Sequence, residues 1–279
     1  MKIGLNPSWI TSNRRNKGII FLWFRLYQQL MELEESINTV AKWIMQSDHI
    51  VIFTGAGIST ESGLPDFRGP DGVWTRRDKG LPPPKAKVPY DKVKPNPSHL
   101  AIVELERLGK VDFLISQNVD GLHVDSGFPL DKLAELHGNK NLMMCIECET
   151  KYTKEEIGWD RKKHGSGYRT SRVRPNNPIC PKCDARIISS IVNFEDPLPD
   201  WDVNMAMEHS KKADLFIVLG SSLVVIPAAT FPKIAKRNGS KLIINNLGET
   251  PHDIYADLLV PHTIGEFIIP VVERVKDGI

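Results

Sequence analysis

Apolar residues return every third or fourth position from Glu32 onward, at Leu33, Ile37, Val40 and Ile44 with Ala41 and Met45 beside them, and then run unbroken from Ile50 to Phe53. The first pattern predicts an amphipathic helix, the second a strand covered on both faces. The change of period recurs downstream. Ser98 can cap a helix over 99–108 whose stripe is Leu100, Val103 and Leu108, and a short strand over 111–115 follows. Strands are predicted over 187–194, 215–219, 242–244 and 258–260, with helices over 203–210, 228–237 and 265–275. Alternation of this kind predicts an α/β fold, doubly wound, with a mainly parallel Rossmann-like sheet.

Two stretches break the pattern. Between Asp71 and Ser98 the prolines at 82, 83, 84, 89, 95 and 97 forbid a regular helix or central strand, so the segment reads as an extended loop, either a lid or a connector. At the start of the chain, Arg14, Arg15 and Lys17 precede the apolar cluster 19–24 in the manner of a signal peptide, but Arg25 interrupts it and no small-residue cleavage site follows. The cluster is also too short to span a bilayer. Residues 1–30 are therefore expected to be an accessory extension, or Met31 to be the true start.

Composition narrows the function classes. A chain of 279 residues, 41% hydrophobic and 25% charged, supports one large domain or a large and a small one. With 36 basic against 34 acidic side chains, nothing global points to nucleic acid or an acidic membrane as partner. All four cysteines fall in two pairs, Cys145 with Cys148 and Cys180 with Cys183. Matched Cys-x-x-Cys knuckles predict a closed Zn(Cys)4 site, structural because no coordination position is left open, and a reducing, cytoplasmic setting, or a nuclear one in a eukaryote. The insert between the knuckles holds Arg161, Lys162, Lys163, Arg169, Arg172 and Arg174 with Tyr168. It reads first as a solvated loop and second as a contact for acidic tails, nucleic acid or chromatin, with no further support in the sequence.

The chemistry concentrates where strands end. The first strand empties into GAGISTESGLPDFRG, Gly55 to Gly69, a tight loop whose backbone can approach a phosphate. The third glycine of the usual dinucleotide fingerprint is missing, since Thr60 stands there, and Asp66, Phe67 and Arg68 close the stretch instead. The strand over 111–115 ends in Gln117, Asn118 and Asp120, and LAELHGN places His137 before Gly138 as a candidate base. The later strands end in Gly220, Ser221, Ser222 and in Asn245, Asn246. Polar ends of this kind are what a dinucleotide crevice requires.

In order along the chain, GAGISTESGLPDFRG, QNVDGLH, the HG pair at His137, the two knuckles, GSSLVVIPA and NLGET resemble the sirtuins, NAD-dependent protein lysine deacylases, over roughly Glu32 to Val275. The resemblance implies that NAD lies with its pyrophosphate on the backbone of Gly55, Ala56 and Gly57 and on Ser222, with Asn246 at a ribose. It implies Phe67 and Arg68 around the other ribose, Asn118 and Asp120 in the nicotinamide pocket, and Ser59, Asp66, Trp74, Gln117, Gly220, Ser221 and Ile264 lining the site. It further implies that an acyl-lysine carbonyl attacks the ribose as nicotinamide leaves, with His137 taking a proton from a ribose hydroxyl and Asn118 the second catalytic residue. The resemblance also implies that substrate peptide adds as a strand between Asn193 to Asp196 and Ser222 to Val225, touching Val192, Phe194, Glu195, Val224 and Val225.

Glu195 and Asp196 stand where many members have Gly-Glu, which favours basic flanks in the substrate. No Tyr and Arg pair selects acidic acyl groups, so neutral chains are expected. The domain plan is an extension (1–30), an NAD-binding domain (31–70, 98–140 and 194–279), a Pro-rich loop (71–97) and an inserted zinc-ribbon domain (141–193). A protein mono-ADP-ribosyltransferase, sharing the first half of the chemistry, is the alternative. A dehydrogenase is disfavoured by the missing glycine and by the lack of an acid, in a second-strand context, about twenty residues beyond the loop. A zinc-ribbon nucleic-acid module leaves the crevice motifs unexplained.

Overall fold

The computed structural model describes residues 14–278, with side chains from residue 27 onward. In chain order the elements are α1 (Arg14–Gln46), β1 (Ile50–Thr54), a 3-10 turn (Ala56–Ser62), α2 (Val73–Asp78), α3 (Pro97–Arg107), β2 (Phe113–Ser116), α4 (Leu122–Asp125), β3 (Leu133–Glu135), β4 (Leu142–Cys145), β5 (Lys151–Thr153), α5 (Arg161–His164), β6 (Ile187–Ser189), α6 (Asp200–Lys212), β7 (Leu215–Leu219), α7 (Phe231–Arg237), β8 (Lys241–Asn245), β9 (Leu258–Val260) and α8 (Ile264–Gly278).

The large sheet has the order β3-β2-β1-β7-β8-β9, and every pairing in it is parallel. Because side chains alternate along a strand, the unbroken apolar runs feed two cores at once. Ile50, Ile52, Leu114, Leu215, Ile217 and Ile243 pack beneath α1, α3 and α8. Val51, Phe53, Phe113, Phe216, Val218 and Leu242 pack against α6 and α7 on the other side. Strand order reverses between β1 and β7, and the crevice opens at the carboxyl ends of those two neighbours. A second sheet, β5-β4-β6, is antiparallel and carries the cysteines.

Several expectations are corrected. The first helix begins at Arg14 rather than Glu32, so it continues through residues assigned to the extension, while residues 1–13 lie outside those described. The Pro-rich segment includes a short helix, α2, ahead of its first proline. Asn96, not Ser98, caps α3: its side chain accepts from the N–H groups of Ser98 and His99, and Pro97 takes the first helical position, where its missing N–H costs nothing. Leu100 is 53% exposed, and the buried stripe is Ala101, Ile102, Val103 and Leu105. The strand expected over 187–194 ends at Ser189 and joins the small sheet through β4. Its apolar pattern fixes burial but not which sheet supplies the partner.

Candidate functional site

Four loops meet at the crevice mouth. After β1, the Gly55 and Gly57 N–H groups donate to the carbonyls of Leu219 and Gly220 at 3.1 and 2.9 Å. A Cβ at Gly57 would lie 2.6 Å from the Gly220 Cα, so glycine is required there for the β1 and β7 loops to touch. This bears on how the two glycines, expected at the pyrophosphate with Ala56, would meet a phosphate. Their amides are engaged within the protein, and the Ala56 N–H is the one left without an acceptor among the described residues. Ile264, at the head of α8, is buried beneath this junction, where a Cβ on Gly220 would meet its Cδ1 at 2.7 Å. Ile264 therefore props the loops from below.

The β2 loop crosses the same mouth. Asn118, buried, donates from Nδ2 to the Gly55 carbonyl at 3.1 Å, and Ser59 Oγ donates to Asp120 Oδ2 at 2.7 Å. Asp120 Oδ1 also accepts the Leu122 N–H at 3.0 Å, starting α4. Gln117 Nε2 donates to Ser221 Oγ at 2.7 Å, tying the β2 loop to the β7 loop. His137, following β3, donates from Nδ1 to the Gln117 carbonyl at 2.9 Å. A carbonyl can only accept, so this bond fixes the tautomer and leaves the Nε2 lone pair free. Burial lowers the His137 pKa below the ordinary imidazole value, partly opposed by the bond to Gln117, so the ring is neutral at pH 7.

Farther out, Phe67 stacks on Trp74 with centroids 6.0 Å apart, and Trp74 meets Phe194 edge-on at 6.3 Å. Asp66 is turned inward, accepting the Gly69 N–H, and Arg68 lies 3.9 Å from Asp78. Ser222 and Asn246 are part-exposed at the ends of β7 and β8, with Asn246 Nδ2 bonded to the Gly248 carbonyl. Phe194 is 77% exposed, Val224 is exposed, and Val225 is part-exposed. Residues 193–196 form a turn closed by Asp196 on the Asn193 N–H and side chain, with Glu195 at a φ of 74°. Just before this turn the Val192 N–H donates to the His137 carbonyl at 3.0 Å.

The four sulfurs lie within 4.8 Å of one another, with Cys145 to Cys183 at 3.4 Å and Cys148 to Cys180 at 3.7 Å. A tetrahedron with bonds of about 2.3 Å has edges near 3.8 Å, so the donor set fits one zinc ion. Backbone N–H groups of Cys148 and Lys182 point at Cys145 and Cys180 sulfurs, the knuckle arrangement that steadies thiolates.

Sequence reasoning missed the groups that hold these loops from behind. Thr54 Oγ1 bonds His123 Nε2 at 2.9 Å, and His123 packs against His99, whose pKa burial lowers to about 4. Glu61 accepts from Ser98 Oγ and the Gly265 N–H, joining the starts of α3 and α8. Glu135 is buried, accepts from Asn139 Nδ2 at 2.7 Å, and is pushed up to about 7 by that burial. Its N–H donates to Asp202, which pairs with Lys151 of the small sheet at 2.9 Å. Only the Glu and Asn flanking His137 signalled such a network in advance.

Comparison with known proteins supplies independent findings. The sequence model of the Sir2 family matches residues 83–227. The chain is 40% identical over 247 residues to the NAD-dependent protein deacetylase SRT1 of Arabidopsis thaliana, covering 88% of this chain and 50% of that one. It thus spans about half the length of the plant relatives it matches. Against NAD-dependent protein deacetylase 1 of Bradyrhizobium diazoefficiens it is 36% identical, covering 86% of this chain and 97% of the relative. A solved structure described as Sir2 with a p53 peptide and NAD+ aligns at 38% identity and a TM-score of 0.62, over 84% of this chain and 95% of that one.

Proposed function

Because this chain belongs to the Sir2 family, we propose that it is an NAD-dependent protein deacylase acting on neutral acyl groups carried by protein lysines. The observation that carries the reading is His137: its Nδ1 is committed to the Gln117 carbonyl and its Nε2 is free where four loops converge. A neutral imidazole so held is a base with one available lone pair.

NAD, when bound, supplies a glycosidic bond whose cleavage releases nicotinamide and exposes an electrophilic ribose carbon. The residues present fit it. The Ala56 N–H and Ser222 would take the phosphates, Asn246 a ribose, and Asn118 and Asp120 the nicotinamide end, with Ser59, Gln117, Gly220 and Ser221 forming the wall. Ser59 and Leu122 fix the Asp120 carboxylate through both oxygens, and Gly55 fixes the Asn118 amide, so neither needs to reorganise. Phe67, with Trp74 and Arg68 beside it, would exclude water. Val192, Phe194, Glu195, Val224 and Val225 would border the acyl-lysine peptide.

No described helix is long and apolar enough to cross a membrane. The described cysteines are unpaired, which supports zinc-bound thiolates in a reducing, cytoplasmic setting.

Mass spectrometry of acetyl-, myristoyl- and succinyl-lysine peptides incubated with NAD tests the reading. Free lysine, nicotinamide and O-acyl-ADP-ribose are expected from the neutral acyl groups. Formation of reduced cofactor without nicotinamide would refute it. His137→Ala should lower kcat for deacylation by about 10²- to 10⁴-fold, the usual worth of a positioned base, with NAD affinity retained.

A further inference from the structure

The later part of the insert between the cysteine pairs carries positive charge with no acid of its own. From Arg161 to Cys183 the sequence holds Arg161, Lys162, Lys163, Arg169, Arg172, Arg174 and Lys182, and neither Asp nor Glu. Among the described residues none of these cations forms an ion pair. Arg174 donates to the carbonyls of Lys162 and Lys163, which neutralises nothing. Arg161, Lys162, Lys163, Arg172 and Arg174 are all exposed.

Arg172 and Arg174 line an open groove of about 890 Å³ together with His164, Ser166, Ser171 and Asn177, and with the apolar Val173, Pro175 and Ile179. Two guanidinium groups and the Asn177 amide supply donors there for anionic oxygens. The cations continue beyond the groove at Lys162, Lys163 and Arg169, so the anion that fits is extended rather than a single small ion.

What kind of polyanion follows from a change of sign along the surface. Arg169 also lines a small cleft shared with Val192 and Asp196. There the charge turns negative, at Glu195 and Asp196. An acidic peptide running from the groove toward His137 would meet that acidic lip and be repelled. A lysine-rich segment carried on a separate polyanion satisfies both surfaces. This step rests on the reading of 192–196 as the substrate border.

We propose that the groove over 164–179 binds the phosphate backbone of nucleic acid without sequence preference, placing acyl-lysine proteins that ride on nucleic acid beside the crevice. The full chain with zinc bound is titrated into a labelled mixed-sequence DNA duplex, followed by fluorescence anisotropy across a salt series. Log affinity should fall linearly with log salt, as counterions are released from neutralised phosphates. Lys163→Gln with Arg172→Gln, two side chains that make no hydrogen bonds in the structure, should flatten that slope by about 2, one for each phosphate no longer neutralised. Deacetylation of a free acetyl-lysine peptide should be unchanged in the double variant. Absence of DNA binding at low salt overturns the proposal, as does an unchanged slope in the variant. Binding of poly-glutamate with none of DNA overturns it in favour of an acidic protein partner. The readout is DNA affinity, so its failure leaves the deacylase reading standing, and loss of peptide deacylation alone leaves this one standing.

Discussion

Phe53, Phe113 and Phe216 pack between the six-stranded sheet and its helices, whereas the three-stranded sheet gathers a small cluster, Met143, Ile157, Trp159 and Ile187 about Cys145 and Cys180, with Tyr152 and Ala185 partly buried against it. The large sheet buries both faces and needs nothing else. The small one has too little apolar surface to offset the entropy of ordering its loops, and its long insert is mostly irregular. The His137 loop lies on the seam between them. His137 comes from the large sheet, yet its carbonyl accepts the Val192 N–H, and the Asn139 N–H and carbonyl both bond Ser190 Oγ, just beyond β6 of the small sheet. A region held by metal thus helps to place a residue built by a region held by hydrocarbon.

The largest effect that would test this contrast is removal of the metal. Replacing the four cysteines with serine, or chelating zinc, should unfold the small module while the parallel sheet persists. Structural zinc contributes about 10–16 kcal/mol in small modules, more than this core can replace. Hydrogen exchange should show protection lost over 142–189 and kept in β1, β2 and β7. Uniform loss of protection would show the two regions to be one cooperative unit.

The contrast also explains what was legible in the sequence. The strands over 215–219 and 258–260 end where their apolar runs end, because a strand covered on both faces announces itself by composition. The cysteine pairs declared their chemistry by spacing. The cap of α3 was readable but misassigned: Pro97 prefers the first helical position, which makes Asn96 the cap. The sheet to which β6 belongs was not readable, since a buried run does not name its partner. Nor was the Glu135, Asp202 and Lys151 network, whose members come from β3, α6 and β5. The free amide at Ala56 was equally hidden, because only the contact with the β7 loop reveals which N–H groups are engaged.

Gly138 sharpens the seam at a single atom. A Cβ there would lie 1.8 Å from the Ser190 carbonyl oxygen, and the residue sits at a φ of 78°, where a side chain is strained. Gly138→Ala should cost about 3–4 kcal/mol, combining overpacking with left-handed strain. Because Ser190 and Val192 must shift, kcat should fall as well, in kinetics alongside urea melts. Destabilisation with kcat intact would mean that the seam does not position His137.

Glu135 adds a pH dependence to the same seam. Burial raises its pKa to about 7, against an ordinary value of about 4.3 in the unfolded chain. The native state therefore holds a proton that the unfolded state has released. The associated stability is full below about pH 4.3 and is lost as pH rises through 7, amounting to about 3 kcal/mol by pH 8. Burial of His99, His123 and His137 acts in the opposite sense, so the Glu135 contribution is read as a difference: between pH 5 and 8 the urea midpoint of the native protein should drop relative to that of Glu135→Gln, which can still accept from Asn139.

The smallest effect belongs to the hydrocarbon-held region and serves as its control. Asn96 caps α3 through Oδ1, and its Nδ2 donates to the Ile58 carbonyl at 2.7 Å, so it also braces the 3-10 turn after β1. Asn96→Ala should cost about 2 kcal/mol, the upper range for a cap because a second hydrogen bond goes with it. The deficit should appear as a lower urea midpoint with the denaturant slope unchanged, since α3 is packed into the main core and unfolds with it. Zinc affinity should not move, because neither α3 nor the 3-10 turn contributes a ligand or packs in the small core. If zinc affinity does fall in this variant, the two regions share their stability, and the division between metal-held and hydrocarbon-held structure is wrong.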